Sequence, residues 1–286
     1  MVETKRGFSK GAEKHLNVEY PILDHGFVRL VDYMGNDSAI VQAARVSYGA
    51  GTKSVNEDRG LIRYLMKHKH TTPFEMVEFK WHVKMPIFVA RQWIRHRTAN
   101  VNEYSMRYSE PITDFYLPDS KNIRMQSKSN MQGRSQEKID PELAEKFRND
   151  FNKTMRNSFE ANKLMSEQNV ARELSRINLP VAMYTEFYWK NDLHNTFHFL
   201  NLRMDKHAQW EIQQYANKMG EIIKDSVPIA YGAFEDYTLN AISFSKIEQL
   251  ALKQILKGKD KNTIINEIFK NKREKQEFLK KLSKFK

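Results

Sequence analysis

The chain has 286 residues, 40% of them hydrophobic and 12% aromatic. That is enough to bury a sizeable core, in one large domain or a domain with an appendage, and it excludes disorder throughout. There is no cysteine, which excludes disulfides, thiolate metal sites, iron–sulfur clusters and a cysteine nucleophile. The net charge of +12 is uneven, because residues 241–286 hold thirteen Lys/Arg against five Asp/Glu.

Residues 1–20 read as a flexible leader. Their polar opening, MVETKRGFSKGAEKH, lacks the apolar stretch of a secretory signal. No run approaches the roughly 20 apolar residues of a membrane span, so a cytoplasmic protein is expected. FVRLVDYM at 27–34 alternates as a strand, and Gly35-Asn36-Asp37 supplies a turn. Asp37 or Ser38 is the expected cap of a helix running through Arg45. In RGLIRYLMKHK, 59–69, Leu61, Tyr64, Leu65 and His68 share a helical stripe, which HTTPF at 70–74 ends.

VEFKWHVKM at 77–85 places Val77, Phe79, Trp81, Val83 and Met85 on one face and polar residues on the other, the pattern of a half-buried strand. Pro86 suits the first turn of a helix. Residues 118–139 are polar and read as a mobile surface excursion. Asp140-Pro141 then opens a long helix over 141–167, with Phe147, Phe151, Met155 and Phe159 every four residues. A second helix is expected over 168–177. Helical periodicity returns over 192–224, broken near Arg203–Lys206, with Asp205 as the next cap. Short basic helices follow from about 240. The mixture predicts an α+β fold: a central, mostly antiparallel sheet with long flanking helices. The expected domains are 1–20, 21–240 and a basic helical extension, 241–286.

The most informative stretch is RQWIRHRTANVNEYSMRYSE, 91–110. It gathers Arg91, Arg95, Arg97 and Arg107 around Glu103. Guanidinium forks hold phosphate in bidentate fashion and keep their charge. A nucleotide site, a salt-bridged surface helix and a generic anion patch all fit this composition. RHR followed by seven residues and then Ser105 resembles the signature of the flavin-dependent thymidylate synthases. Three further blocks resemble that family in order and spacing: DHGFVRLVDYMGNDSAIVQAARVS at 24–47, HTTPFE at 70–75 and LRMDKHAQWEIQQYA at 202–216. The resemblance spans about residues 21–238.

The resemblance implies reductive methylation of dUMP to dTMP. Methylenetetrahydrofolate would give the carbon and NADPH-reduced FAD the hydride, in a homotetramer whose active sites are shared between chains. It implies that Gln92, Trp93, Ile94, Arg95, Glu103, Tyr104, Ser105, Met106, Arg107, Arg176 and Arg203 bind dUMP. Thr72, Arg95, His96, Arg97, Glu103, Asp192, Leu193, His194 and His198 would contact FAD. Arg203 would be catalytic, stabilising negative charge on the uracil ring. Two places depart from the family pattern: Asn100 stands where serine is common, and residues 192–198 lack the usual asparagine and arginine.

Ser105 has no evident partner base and is assigned to binding. His70 reads either as a flavin-lining residue or as a structural one. Phe187, Tyr188 and Trp189 read as core. The histidines show no zinc spacing, so no metal is expected. No glycine-rich dinucleotide loop occurs. The alternative is a nucleic-acid-binding protein that uses the basic tail.

Overall fold

The alternating segment near residue 80 forms the middle of a five-stranded sheet made of β1 (Glu19–Ile22), β2 (Gly26–Met34), β3 (Glu78–Pro86), β4 (Asn100–Glu103) and β7 (Tyr184–Asp192). The strand order is β1-β2-β3-β7-β4 and every pairing is antiparallel. The computed structural model describes residues 7–46, 55–128 and 132–285. Residues 1–6 of the expected leader and Ser47 of the first motif block lie outside the described residues.

Phe79, Trp81, Val83 and Met85 of β3 are all buried, as their alternation requires. In β2 the alternation breaks. Leu30 pairs with Trp81 and Asp32 with Lys80, so Val31 is an extra residue. This bulge shifts the buried side from Val28 and Leu30 to Tyr33. Gly35 ends the strand at φ +85, a left-handed conformation that glycine adopts without strain.

The helices of the first unit are α1 (Lys10–Glu13), α2 (Asp37–Arg45), α3 (Val55–Lys67), α4 (Ile87–Trp93), α5 (Pro141–Glu167), α6 (Arg172–Ser175), α7 (Leu193–Arg203), α8 (Trp210–Ser226) and α9 (Pro228–Phe234). Asn36, rather than Asp37 or Ser38, caps α2 by accepting from the Ser38 and Ala39 amides. Asp37 instead caps α9, accepting from the amides of Ile229 at 3.0 Å and Ala230 at 2.8 Å. Burial raises its pKa, and those two hydrogen bonds oppose the rise.

The expected leader is tied into the fold from Ser9 on. The Ser9 hydroxyl donates to the Ser226 carbonyl at 2.7 Å, and its amide donates to the Tyr33 hydroxyl at 3.0 Å. The polar excursion contains a hairpin of β5 (Arg124–Gln126) and β6 (Arg134–Lys138). Helix α5 starts at the Asp140 cap, as expected. Of its apolar stripe Met155 is buried, whereas Phe147 is 48% and Phe151 37% exposed. The helix expected over 168–177 is only α6 and a following 3-10 turn at Arg176–Asn178. Gln209, not Asp205, stands at the start of α8; Asp205 closes the preceding turn by accepting from the His207 amide at 2.7 Å.

An aromatic cluster fixes α4 against α7 and the sheet. The Trp93 ring lies 4.6 Å from Phe199, 5.5 Å from Trp189, 5.8 Å from Phe187 and 5.9 Å from Tyr215, centroid to centroid. Edge-to-face geometry prevails, which suits the ring quadrupoles. These contacts bring the C-terminal ends of α4 and α7 together.

The chain divides into two compact units, Met1–Phe234 and Glu235–Lys286, compared with an expected boundary at 240/241. In the second unit, α10 (Lys246–Leu256), α11 (Lys261–Ile268) and α12 (Lys272–Ser283) surround Ala251, Ile264, Ile265, Phe269 and Phe278. Helix α10 opens with a capping box between Ser245 and Glu248. Lys281 donates to both Glu248 oxygens, at 2.7 and 2.6 Å.

A core this small has little stability to spare. Phe278→Ala is expected to cost about 3–5 kcal/mol. Hydrogen exchange should then show lost protection in α10–α12 while β2, β3 and β7 keep theirs. Equal loss in both units would contradict independent cores.

Candidate active site

The first cluster forms where α4 and α7 end. The His96 amide bonds the Trp93 carbonyl at 2.9 Å, so the Gln92 carbonyl is left without a helical donor. Arg203, the last residue of α7, fills that vacancy: its Nη2 donates to the Gln92 carbonyl at 3.1 Å. A cation at this end also complements the helix dipole. The Arg203 Nε donates to His96 Nε2 at 3.0 Å. An imidazole nitrogen accepts only when it carries no proton, so this contact requires the neutral ring. Burial, and after it the charges of Arg203 and His198, lower the His96 pKa to about 4. Burial also lowers the Arg203 pKa, though a guanidinium keeps its charge under such shifts.

His198, another of the expected contact residues, adjoins this pair. The His198 ring is 5.6 Å from that of His96. Ile94, Arg95 and Arg97 are exposed. Neither arginine has an ion-pair partner among the described residues. Thr72 lines a cavity of about 1280 Å³ together with Tyr64, His70, Met34 and Met76. His194 is half-buried. Unpaired guanidiniums suit a pyrophosphate, and the Thr72 cavity, whose lining does not include them, has the apolar walls and hydroxyl donors that suit a ring.

Trp93 and Leu193 are fully buried, and their side chains belong to the core. Asp192 is occupied as the α7 cap, accepting from the Asn195 amide at 2.8 Å and its side-chain amide at 2.7 Å.

A second cluster follows β4. Glu103 Oε1 accepts from the Thr185 hydroxyl at 2.8 Å. The Tyr104 hydroxyl donates to the Glu110 carbonyl at 2.5 Å. The Ser105 hydroxyl accepts from the Arg107 amide at 3.3 Å, closing a tight turn. Arg107 lies 3.7 Å from Glu173, and Arg172 donates to the Tyr108 carbonyl at 2.8 Å. Met106 and Arg176 line a cavity of about 210 Å³. No hydrogen bond among the described residues joins this cluster to Arg203 and His96. The two clusters are held by separate sets of hydrogen bonds.

Sequence reading missed Thr185, Gln209, Glu211 and Arg134. Gln209 bonds the Gln92 side chain and also donates to Glu211 Oε2 at 2.9 Å. The available signal was Glu211 itself, a carboxylate one turn from Tyr215 on the apolar face of α8.

The sequence profile of the family described as "Thymidylate synthase complementing protein" matches residues 29–229. That match defines the class: enzymes of thymidylate formation, represented here by a chain without a cysteine. A flavin-dependent thymidylate synthase of Ruegeria pomeroyi is 54% identical over 259 residues, covering 89% of this chain and 85% of the relative. One from Wolbachia pipientis is 52% identical, covering 90% of each chain. One from Rickettsia prowazekii is 48% identical, covering 97% of this chain and 98% of the relative. The crystal structure of a UMP/dUMP methylase from Streptomyces cacaoi bound with 5-Br dUMP matches with a TM-score of 0.69 at 30% identity, covering 77% of this chain and 99% of that one. The chain belongs to the flavin-dependent thymidylate synthase family.

Neutral His96 has a consequence for pH. With its folded pKa near 4 and its ordinary value at 6.5, the unfolded chain takes up a proton first as pH falls. The His96 contribution to stability is therefore lost between about pH 6.5 and 4 and is unchanged above that window. Urea midpoints at pH 7.5 and 5 should fall less for His96→Gln than for the parent. Equal falls would contradict the neutral assignment.

Proposed function

We propose that this enzyme converts dUMP to dTMP with methylenetetrahydrofolate as carbon donor and NADPH as reductant, using FAD. The observation that carries the reading is Arg203, held by neutral His96 and the Gln92 carbonyl beside unpaired Arg95 and Arg97. Arg95, His96 and Arg97 would hold FAD with Thr72, Glu103, His194 and His198. Asp192 and Leu193 would contribute backbone only. The bound flavin, once reduced, supplies the hydride that completes the methyl group.

Gln92, Ile94 and Arg95 receive dUMP from one side. Glu103, Tyr104, Ser105, Met106, Arg107 and Arg176 receive it from a second chain. Arg203 stabilises negative charge on the uracil oxygen, so that the ring C5 becomes the nucleophile without attack by sulfur. Ser105 binds; its hydroxyl already accepts within its turn, and among the described residues no basic side chain is hydrogen-bonded to it.

Shared sites require an assembly, and a homotetramer is the proposed form. Supporting it are the exposed Phe147 and Phe151 of α5, with Leu164 at 60% and Ile177 at 77% exposure, apolar surface of the kind that interfaces cover.

Arg203→Ala is expected to lower turnover about a hundred- to a thousand-fold, the cost of one preorganised charge-stabilising group, with FAD still bound. Unchanged turnover would reject the role of Arg203. Arg203→Ala and Arg176→Ala proteins should each be inactive as purified. After subunit exchange, mixed assemblies should regain activity, because some sites then combine two intact halves. No recovery despite proven exchange would reject shared sites.

A further inference from the structure

The β5–β6 hairpin lies outside all four motif blocks, yet one of its side chains reaches a buried carboxylate. Arg134 opens β6. Its Nη2 donates to Glu211 Oε1, and its Nη1 donates to the Asn122 carbonyl at 2.9 Å. Its guanidinium carbon stands 5.5 Å from the centre of the Trp210 ring. Glu211 is 3% exposed and also accepts from the Tyr116 hydroxyl at 3.2 Å. From Glu211 the chain of bonds continues through Gln209 to Gln92.

We propose that Arg134 is a positioning residue for the nucleotide site, fixing the Gln92 side chain through Glu211 and Gln209. The proposal rests on the nucleotide-binding role of Gln92 given above.

The polarity of the chain follows from one fact. An ionised carboxylate only accepts. Gln209 must therefore turn its NH2 toward Glu211 and its carbonyl oxygen toward Gln92. Gln92 must in turn present its NH2 to Gln209. Its own carbonyl oxygen is left without a partner among the described residues. Each amide is held in one of its two orientations by the charge at the far end. Arg134 is the cation that keeps that charge: among the described residues it is the one ion-pair partner of Glu211. Without it, Glu211 loses its ion pair and a donor to Oε1, so the carboxylate that orients the Gln209 amide is no longer held in place.

The effect is confined to binding. Arg203 is held by the peptide carbonyl of Gln92, not by its side chain. Loosening the amide leaves that bond in place.

The test is steady-state kinetics on the FAD-loaded enzyme, with Arg134→Ala, Arg134→Lys, Gln209→Ala, Gln92→Ala and the Arg134→Ala/Gln92→Ala double variant. The Arg134→Ala and Gln209→Ala proteins should raise the dUMP KM about ten-fold, the worth of one fixed hydrogen bond. Their kcat and bound flavin should stay within about two-fold of the parent, as a loss of uniform binding requires. Arg134→Lys, which keeps the charge, should recover most of the KM. The double variant should match Gln92→Ala alone, because Arg134 acts only through Gln92.

A parent-like KM in Arg134→Ala, or multiplied effects in the double variant, would overturn the proposal. A parent-like KM in Gln92→Ala would overturn it differently, by removing Gln92 from the nucleotide site. Should Arg134→Ala fail to fold, exposed Gln209 carries the test, since cutting the chain there leaves the Arg134–Glu211 pair intact: a raised KM supports the proposal and a parent-like one overturns it.

Discussion

The site depends on a hydrogen bond between a cation and an imidazole that must stay uncharged. Arg203 Nε reaches His96 Nε2 at 3.0 Å. A protonated ring would offer a second donor and a second positive charge, and the contact would become repulsive. Burial and the neighbouring guanidinium hold the proton off, which pushes the His96 pKa to about 4. The same arginine closes the carbonyl end of α4. One guanidinium thus settles the helix terminus and fixes the imidazole, and under the proposed function its charge is the one that faces the uracil ring. A chain without cysteine cannot activate a pyrimidine by thiolate attack, and preorganised charge of this kind is the means proposed for it.

That bond is only as fixed as the helices that bring its partners together. Trp93 supplies the rigidity. Its ring touches Phe187 and Trp189 of the sheet, Phe199 of α7 and Tyr215 of α8. Large rings in close contact allow little rotation and bury much apolar area. Trp93 adjoins Gln92 in sequence, so core packing and site geometry are set by consecutive residues of one short helix. The polar chain from Arg134 ends on the same helix, at the Gln92 side chain. Apolar packing places the backbone, and the relay orients the amide.

Much of this was legible in the residues. The period of two in 77–85 marked β3, and Asp140-Pro141 marked the start of α5, because both signals are local. The motif blocks located Arg203, His96 and Ser105 but could not say which of them bond one another, since the Arg203–His96 contact spans 107 residues of sequence. Trp93 lay inside a binding motif, and nothing local said that its ring faces inward. The bulge at Val31 conceals the change of face in β2, and Asp37 looked like the cap of its own helix while serving α9, 192 residues away. The β5–β6 hairpin was invisible for a different reason: three- and five-residue polar strands carry no period to read. Arg134 and Glu211 find each other only in three dimensions.

A crystal structure with FAD and 5-Br dUMP bound tests the central claim most directly. The account predicts the Arg203 guanidinium against the pyrimidine, its Nε still on His96 and its Nη2 still on the Gln92 carbonyl, with Ser105 and Arg176 of another chain at the nucleotide. A pyrimidine bound away from Arg203, or Arg203 released from His96 in the loaded site, would contradict it.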